Sequence, residues 1–188
     1  MLDRISLSDR IFLCGLSGSG KSTVAPLLAQ LRGCTALDTD AIIVSEAAVP
    51  ISEIFRREGE SGFREREARA VQLSCAHERA VIALGGGALE RDDSFEAVCA
   101  SGTLIFLDAP DSVLATRLER GEARPLMAQP GALGRMRARR LARFERALVR
   151  IDTSTRSPHE IVTAIANALH LVVPSPSTPL GTNSERPS

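Results

Sequence analysis

Five short apolar runs recur along the chain, closing on or near glycine or aspartate: Ile11 to Gly15, Thr35 to Asp38, Ala80 to Gly85, Gly102 to Asp108 and, with a charged interruption, Leu148 to Thr153. Their apolar character is continuous, the pattern of parallel strands covered on both faces. Between them the spacing changes. Val24, Leu27, Leu28 and Leu31 fall on one helical face, and helices are expected over 52–57 and 63–77 with "EGESG" as the break between them. Pro110 opens a further helix to about residue 120, and an Arg-rich helix precedes the fifth run. Ser157, Pro158 and Glu160 fit N-cap, N1 and N3 of a capping box, and Ile161, Ile165 and Leu169 continue as the buried stripe of a last helix.

Strands alternating with helices imply an α/β fold with a parallel sheet and right-handed crossovers, and place ligands at the carboxyl ends of the strands. At 188 residues one domain is expected, over 1–173. Residues 121–132, "GEARPLMAQPGA", have the Gly and Pro content of a mobile loop, and the tail 174–188 lacks the apolar residues that order requires.

Composition narrows the function. With 44% hydrophobic and 24% charged residues and no net charge, the chain is globular and has no overall field to attract nucleic acid or a membrane. The four cysteines show no CxxC pairing, so buried thiols in a reducing cytosol are expected rather than disulfides or zinc ligands. The start, "MLDRISLSDR", has no apolar core of a leader, and no run reaches the roughly 18 apolar residues of a membrane span, so a soluble cytoplasmic protein is expected. Among 23 basic residues one alone is lysine, Lys21.

That lysine stands in "GLSGSGKS", Gly15 to Ser22, which matches G-x-x-x-x-G-K-[ST] between a predicted strand and a predicted helix. Glycines let backbone N–H groups converge on phosphate oxygens. The helix N-terminus adds partial positive charge, Lys21 reaches the β and γ phosphates, and the Ser22 hydroxyl can ligate Mg²⁺. No guanine-reading NKxD is present. Asp108 reads better as a helix N-terminal acid before Pro110 than as a metal acid, which leaves Asp38, at the end of the second strand, as the better candidate for the metal's second carboxylate.

"GLSGSGKST", "DTD", "ISEIFRREGESGFREREAR", "ALGGGAL" and "RPLM" stand in an order and spacing that resembles the shikimate kinases, from about Ile11 to Leu169. The resemblance implies a P-loop NTPase-type α/β/α sandwich of the nucleoside-monophosphate-kinase kind with a five-stranded parallel sheet. It also implies ATP-dependent phosphorylation of the 3-hydroxyl of shikimate, with Mg²⁺, in aromatic amino acid biosynthesis, and a monomer acting on small molecules. The nucleotide would then lie on Gly15, Ser17, Gly18, Ser19, Gly20, Lys21, Ser22 and Thr23. Arg117 and Pro158 would flank adenine, and Arg124, in a closing loop over 121–132, would reach the phosphates. Arg64, oriented by Glu67 three residues on, would grip the substrate carboxylate, with Gly85, Gly86 and Gly87 in contact with the substrate. Counting back from "RIDT" carries the second carboxylate-binding arginine onto Arg139. The family's Pro-Leu-Tyr after it is here Leu141, Ala142 and Arg143, so Arg140 stays open as the counterpart.

Eight arginines lie between Gly121 and Arg150, against Glu122 and Glu145 alone. Arg135, Arg139, Arg143, Arg146 and Arg150 form one stripe at helical spacing, for the most part a solvated face, and without interleaved aromatics they do not make a single-strand nucleic-acid binder. In "ALDTDAII", read as extended, Asp38 and Asp40 point the same way but lie about 6.5 Å apart. By resemblance Asp38 helps hold Mg²⁺ through water, while Asp40 bonds the ring hydroxyls and takes the proton. Two other readings are a kinase for another polyol or sugar acid and a non-catalytic ligand sensor. With ten residues ahead of Ile11, no helix-turn-helix is expected before the first strand.

Overall fold

The structure is a computed structural model that describes residues 9–119 and 131–169. The first strand, β1 (Arg10–Cys14), runs into the glycine-rich loop and then α1 (Lys21–Arg32). Val24, Ala25, Leu28 and Ala29 are buried along α1, and Leu27 and Leu31 pack at the margin of the same cluster. Gly33, at φ 60°, ends the helix and turns the chain into β2 (Thr35–Asp38).

The structure then departs from the apolar pattern. Residues read as extended, from Thr39 on, form a helix, α2 (Thr39–Ala47), because Asp38 caps it: its Oδ1 accepts from the N–H groups of Asp40 at 2.9 Å and Ala41 at 3.4 Å. Asp40 therefore sits in the first helical turn, where a carboxylate is favoured by the helix dipole. Next comes α3 (Ile51–Cys75), broken in its backbone at Gly59 (φ 69°, ψ −172°), within the expected "EGESG" interruption.

Then follow β3 (Ala80–Ala83), α4 (Asp92–Ser101), β4 (Thr103–Asp108), α5 (Asp111–Glu119), α6 (Ala132–Phe144), β5 (Val149–Asp152) and α7 (Pro158–Ala168). The capping box at Ser157 is formed in both directions, with Glu160 Oε2 accepting from Ser157 N at 2.7 Å and Ser157 Oγ from Glu160 N at 3.3 Å. The Arg-rich stripe does not run along one helix, since α6 ends at Phe144 and Arg150 lies on β5.

The sheet is wholly parallel in the order β2-β3-β1-β4-β5. Alternate residues of its strands face opposite layers. Ile11, Leu13, Val81, Ile105 and Leu107 pack with α1 and α7, while Phe12, Ile82, Leu104 and Phe106 pack with Val71, Val98 and Phe144. This is why the runs are apolar throughout. A smaller cluster, Ile43, Ile54, Phe63 and Ala70, joins α2 to α3.

Of the cysteines, all free, Cys14 is buried but Cys99 is exposed, so the expectation of buried thiols holds only in part. No helix among the described residues is long and apolar enough to cross a membrane. The loop expected at 121–132, with Arg124, falls outside the described residues but for its last two positions, and the tail 174–188 falls outside altogether.

Candidate active site

The site is built on the carboxyl ends of β1, β2 and β3. At the end of β1 the backbone turns sharply at Gly15, with φ 143°, and a Cβ there would lie 2.3 Å from the carbonyl oxygen of Leu107. Only glycine fits. The loop closes with Ser19 N donating to Leu16 O at 3.2 Å. Lys21 folds back over it, its Nζ donating to the carbonyls of Gly15 at 2.8 Å and Leu16 at 3.0 Å. A cavity of about 470 Å³ opens over this loop, lined by Ser17 to Thr23 together with Asp40, Arg117, Arg156 and Pro158.

Arg117 on α5 ties the cavity's walls together. It donates to Gly18 O at 3.2 Å, Thr153 O at 2.6 Å and Ser154 O at 3.2 Å, joining the glycine loop to the turn after β5. Arg156, in that turn, lines the cavity and was not foreseen; its signal was its place just ahead of the capping box.

Of the two aspartates, Asp40 lines the cavity while Asp38 is engaged as the cap of α2. Thr39 between them is fully buried, and its Oγ1 accepts from Gly85 N at 2.7 Å, pinning α2 to the glycine row after β3.

That row, Gly85 to Gly87, is where the parts meet. A Cβ on Gly85 would lie 2.6 Å from Asp40 Oδ1 and 3.1 Å from Glu67 Oε1. One on Gly86 would lie 3.3 Å from Ser17 Oγ and 3.4 Å from Arg140 Nη1, and one on Gly87 would lie 2.0 Å from Arg64 Nη1. None of the three has a positive φ, so glycine is required here by the closeness of these side chains and not by backbone conformation.

Arg64 is held as its spacing from Glu67, three residues on, suggests. Its Nη1 donates to Glu67 Oε2 at 2.6 Å and its Nη2 to Glu60 Oε1 at 3.1 Å. Burial opposes the guanidinium's charge, but Glu67, Glu90 and Glu60 outweigh it and raise the Arg64 pKa above its ordinary value. The Glu67 carboxyl is itself pushed up by burial, with Arg64 pulling the other way.

The two neighbouring arginines of α6 separate. The Arg140 side chain is 7% exposed and its Nε donates to Glu90 Oε1 at 2.6 Å, whereas the Arg139 side chain is 66% exposed and pairs with the other oxygen, Glu90 Oε2. Both line a pocket of about 240 Å³ beside Gly86. The difference comes from Phe144, whose ring lies 5.1 Å from that of Phe106 in the core. Residues four apart share a helix face, so burying Phe144 turns Arg140 inward and leaves Arg139 outside.

Asp108 closes β4 just ahead of Pro110 and α5, and it does not line the cavity over the glycine loop. Its carboxylate accepts from Arg137 Nη1 at 2.8 Å and Arg150 Nη2 at 2.5 Å, in a separate hollow with Asp111. Of the stripe, Arg135, Arg139, Arg146 and Arg150 are exposed, as expected for most of it, while Arg143 is half-buried and donates to Leu89 O and, at 2.5 Å, to Asp92.

A P-loop at the end of β1, a parallel sheet in this order and a second, arginine-walled pocket one glycine row away define a P-loop kinase. The family model for shikimate kinase matches residues 17–170. A shikimate kinase of Symbiobacterium thermophilum is 42% identical over 166 residues, covering 85% of this chain and 95% of that one. One of Chlorobium chlorochromatii is 37% identical over 157 residues, with 78% and 83% covered. Among solved structures, shikimate kinase from Acinetobacter baumannii in complex with shikimate superposes with a TM-score of 0.81 at 29% identity, over 88% of this chain and 94% of that one. The chain belongs to the shikimate kinase family.

Proposed function

We propose that this kinase transfers the terminal phosphoryl group of ATP to the 3-hydroxyl of shikimate, yielding shikimate 3-phosphate and ADP on the route to the aromatic amino acids. The observation that carries this reading is the glycine row, against which Asp40, Arg64, Arg140 and Ser17 of the phosphate loop all pack. This supports a reading in which Asp40 is the proton acceptor and Arg64 and Arg140 bind the carboxylate beside the phosphate cradle.

In this reading the nucleotide's phosphates lie on Gly15 to Thr23, and Arg117 and Pro158 flank the base. Arg64 and Arg140 grip the acceptor's carboxylate through charge-assisted hydrogen bonds. Arg140 takes the role that the count from "RIDT" assigned to Arg139, which serves at the rim. Asp40 bonds the ring hydroxyls and takes the proton as the 3-hydroxyl oxygen attacks. Phosphoryl transfer demands positioning and charge neutralisation more than covalent help, so Lys21 and Arg124 stabilise the spreading negative charge.

Among the described residues no group of three or more His, Cys, Asp or Glu could hold a metal alone. The Ser22 hydroxyl lines the cavity over the phosphate loop, where an ion carried on phosphates would meet it. Ser22 and, through water, Asp38 would hold Mg²⁺, which supplies charge neutralisation at the β and γ phosphates when bound. The same reading has a monomer acting on small molecules in the cytoplasm, with no part for nucleic acid or a membrane.

Coupled measurement of ADP release with ATP and Mg²⁺, shikimate against gluconate, tests it: turnover with shikimate is expected, and none with shikimate would end the reading. Asp40→Asn is expected to lower turnover by about a hundredfold or more while ATP still binds in calorimetry. Wild-type turnover in that variant would remove Asp40 from its role.

A further inference from the structure

The pocket beside Gly86 holds one carboxylate that no motif announces. Glu90, whose side chain is 9% exposed, stands in a tight turn closed by its own N–H donating to Gly87 O at 2.8 Å, so it is built into the end of the glycine row. Arg143 fastens the same turn to α6 through Leu89 O. From there Glu90 Oε1 accepts from Arg140 Nε at 2.6 Å and lies 3.9 Å from Arg64 Nη2, while Oε2 meets Arg139.

We infer that Glu90 is the positioning residue of the acceptor's carboxylate grip, holding Arg140 by its Nε edge and leaving its Nη1 turned to the glycine row, while Glu67 holds Arg64 through the Nη1 that lies against Gly87. This rests on the phosphoryl-transfer reading above. Three observations converge on it. Arg140 Nη1 is the atom that approaches Gly86, on the far side of the guanidinium from the Nε held by Glu90. Two buried guanidinium groups share one small space, and a single carboxylate oxygen lies close to both, so that their repulsion is offset where an acceptor must bridge them. Burial lowers the Arg140 pKa below its ordinary value, and Glu90 is the largest influence opposing that fall.

Glu90 touches neither reacting atom in this arrangement. It acts through Arg140. In the opposite role Glu90 would occupy the cations until the acceptor's carboxylate displaced it, and the two roles predict opposite signs.

The test is steady-state kinetics and calorimetric shikimate binding on Glu90→Gln, which keeps the shape, and Glu90→Ala. Losing a charge-assisted hydrogen bond at a binding arginine is expected to raise the shikimate KM about threefold in Glu90→Gln and about tenfold or more in Glu90→Ala, with the ATP KM within about twofold of wild type. Because the effect runs through Arg140, the double variant Glu90→Ala/Arg140→Ala is expected to bind shikimate no more weakly than Arg140→Ala alone. An unchanged or lower shikimate KM in both single variants overturns the inference. So do equal rises in both KM values accompanied by a fall in the thermal unfolding midpoint, which would make Glu90 merely structural. A wild-type chain that neither binds nor turns over shikimate would bring down the underlying reading first, and this inference with it.

Discussion

Arg139 and Arg140 are chemically identical neighbours, and one bond in the chain separates a rim residue from a buried one. Arg140→Ala is expected to raise the shikimate KM by about tenfold to a hundredfold, and Arg139→Ala by no more than about threefold, because an exposed ion pair contributes little. Comparable losses in both would contradict the burial difference. Glu67 offers a second check at this scale. Burial raises its carboxyl above the ordinary 4.5 despite Arg64. A raised native value means that the stability linked to this group is present in full below the unfolded value and is lost as pH rises through the native one. Glu67→Gln cannot ionise, so in denaturant melts it should gain on the wild type as pH rises from that region to neutrality, whereas a constant gap would refute the shift. The P-loop and the Arg64–Glu67 pair were legible in the sequence because their partners lie within a few residues. Glu90 was not, since its bond to Arg140 spans 50 positions. For Arg140 the departure at Leu141, Ala142 and Arg143 had left the choice open, and Phe144, an apolar anchor one turn along, is the signal that decides it.

Among the elements, α2 shows why an apolar run is ambiguous. Ala41 to Ile43 reads as more extended chain, but the Asp38 cap and the Asp40 carboxylate in the first turn are a helix start, a signal present in "DTD" and outweighed there by the run that follows. The two kinds of glycine segment separate in the same way, by what each glycine meets. Gly15 is bounded by backbone at a positive φ, so Gly15→Ala is expected to cost at least about 1–3 kcal/mol of stability. At Gly87 the obstacle is the tip of Arg64, a flexible end that can swing away. Gly87→Ala should therefore keep its thermal midpoint close to wild type while losing shikimate affinity, and a folding defect as large as that of Gly15→Ala would show the contact to be rigid.

At the scale of the molecule, the alternation of strands and helices was enough to expect a parallel sheet with ligands at its carboxyl edge. The order β2-β3-β1-β4-β5 was not legible, because it is decided by pairing between distant segments. That order sets β3 and β4 on either side of β1, and α6 is attached to both. Arg137 bonds Asp108 at the end of β4 and Asp111 beyond it, while Arg140 bonds Glu90 in the turn after β3. α6 is thus a crossbar bolted on both flanks of the strand that carries the phosphate loop. Loosening the far bolt with Arg137→Ala should raise the shikimate KM about threefold, although that side chain lies in another hollow, and an unaltered KM would show the two ends to be independent. Drift in the sequence at Asp108, Asp111 and Arg137 is then restrained by a molecule that none of them ever meets.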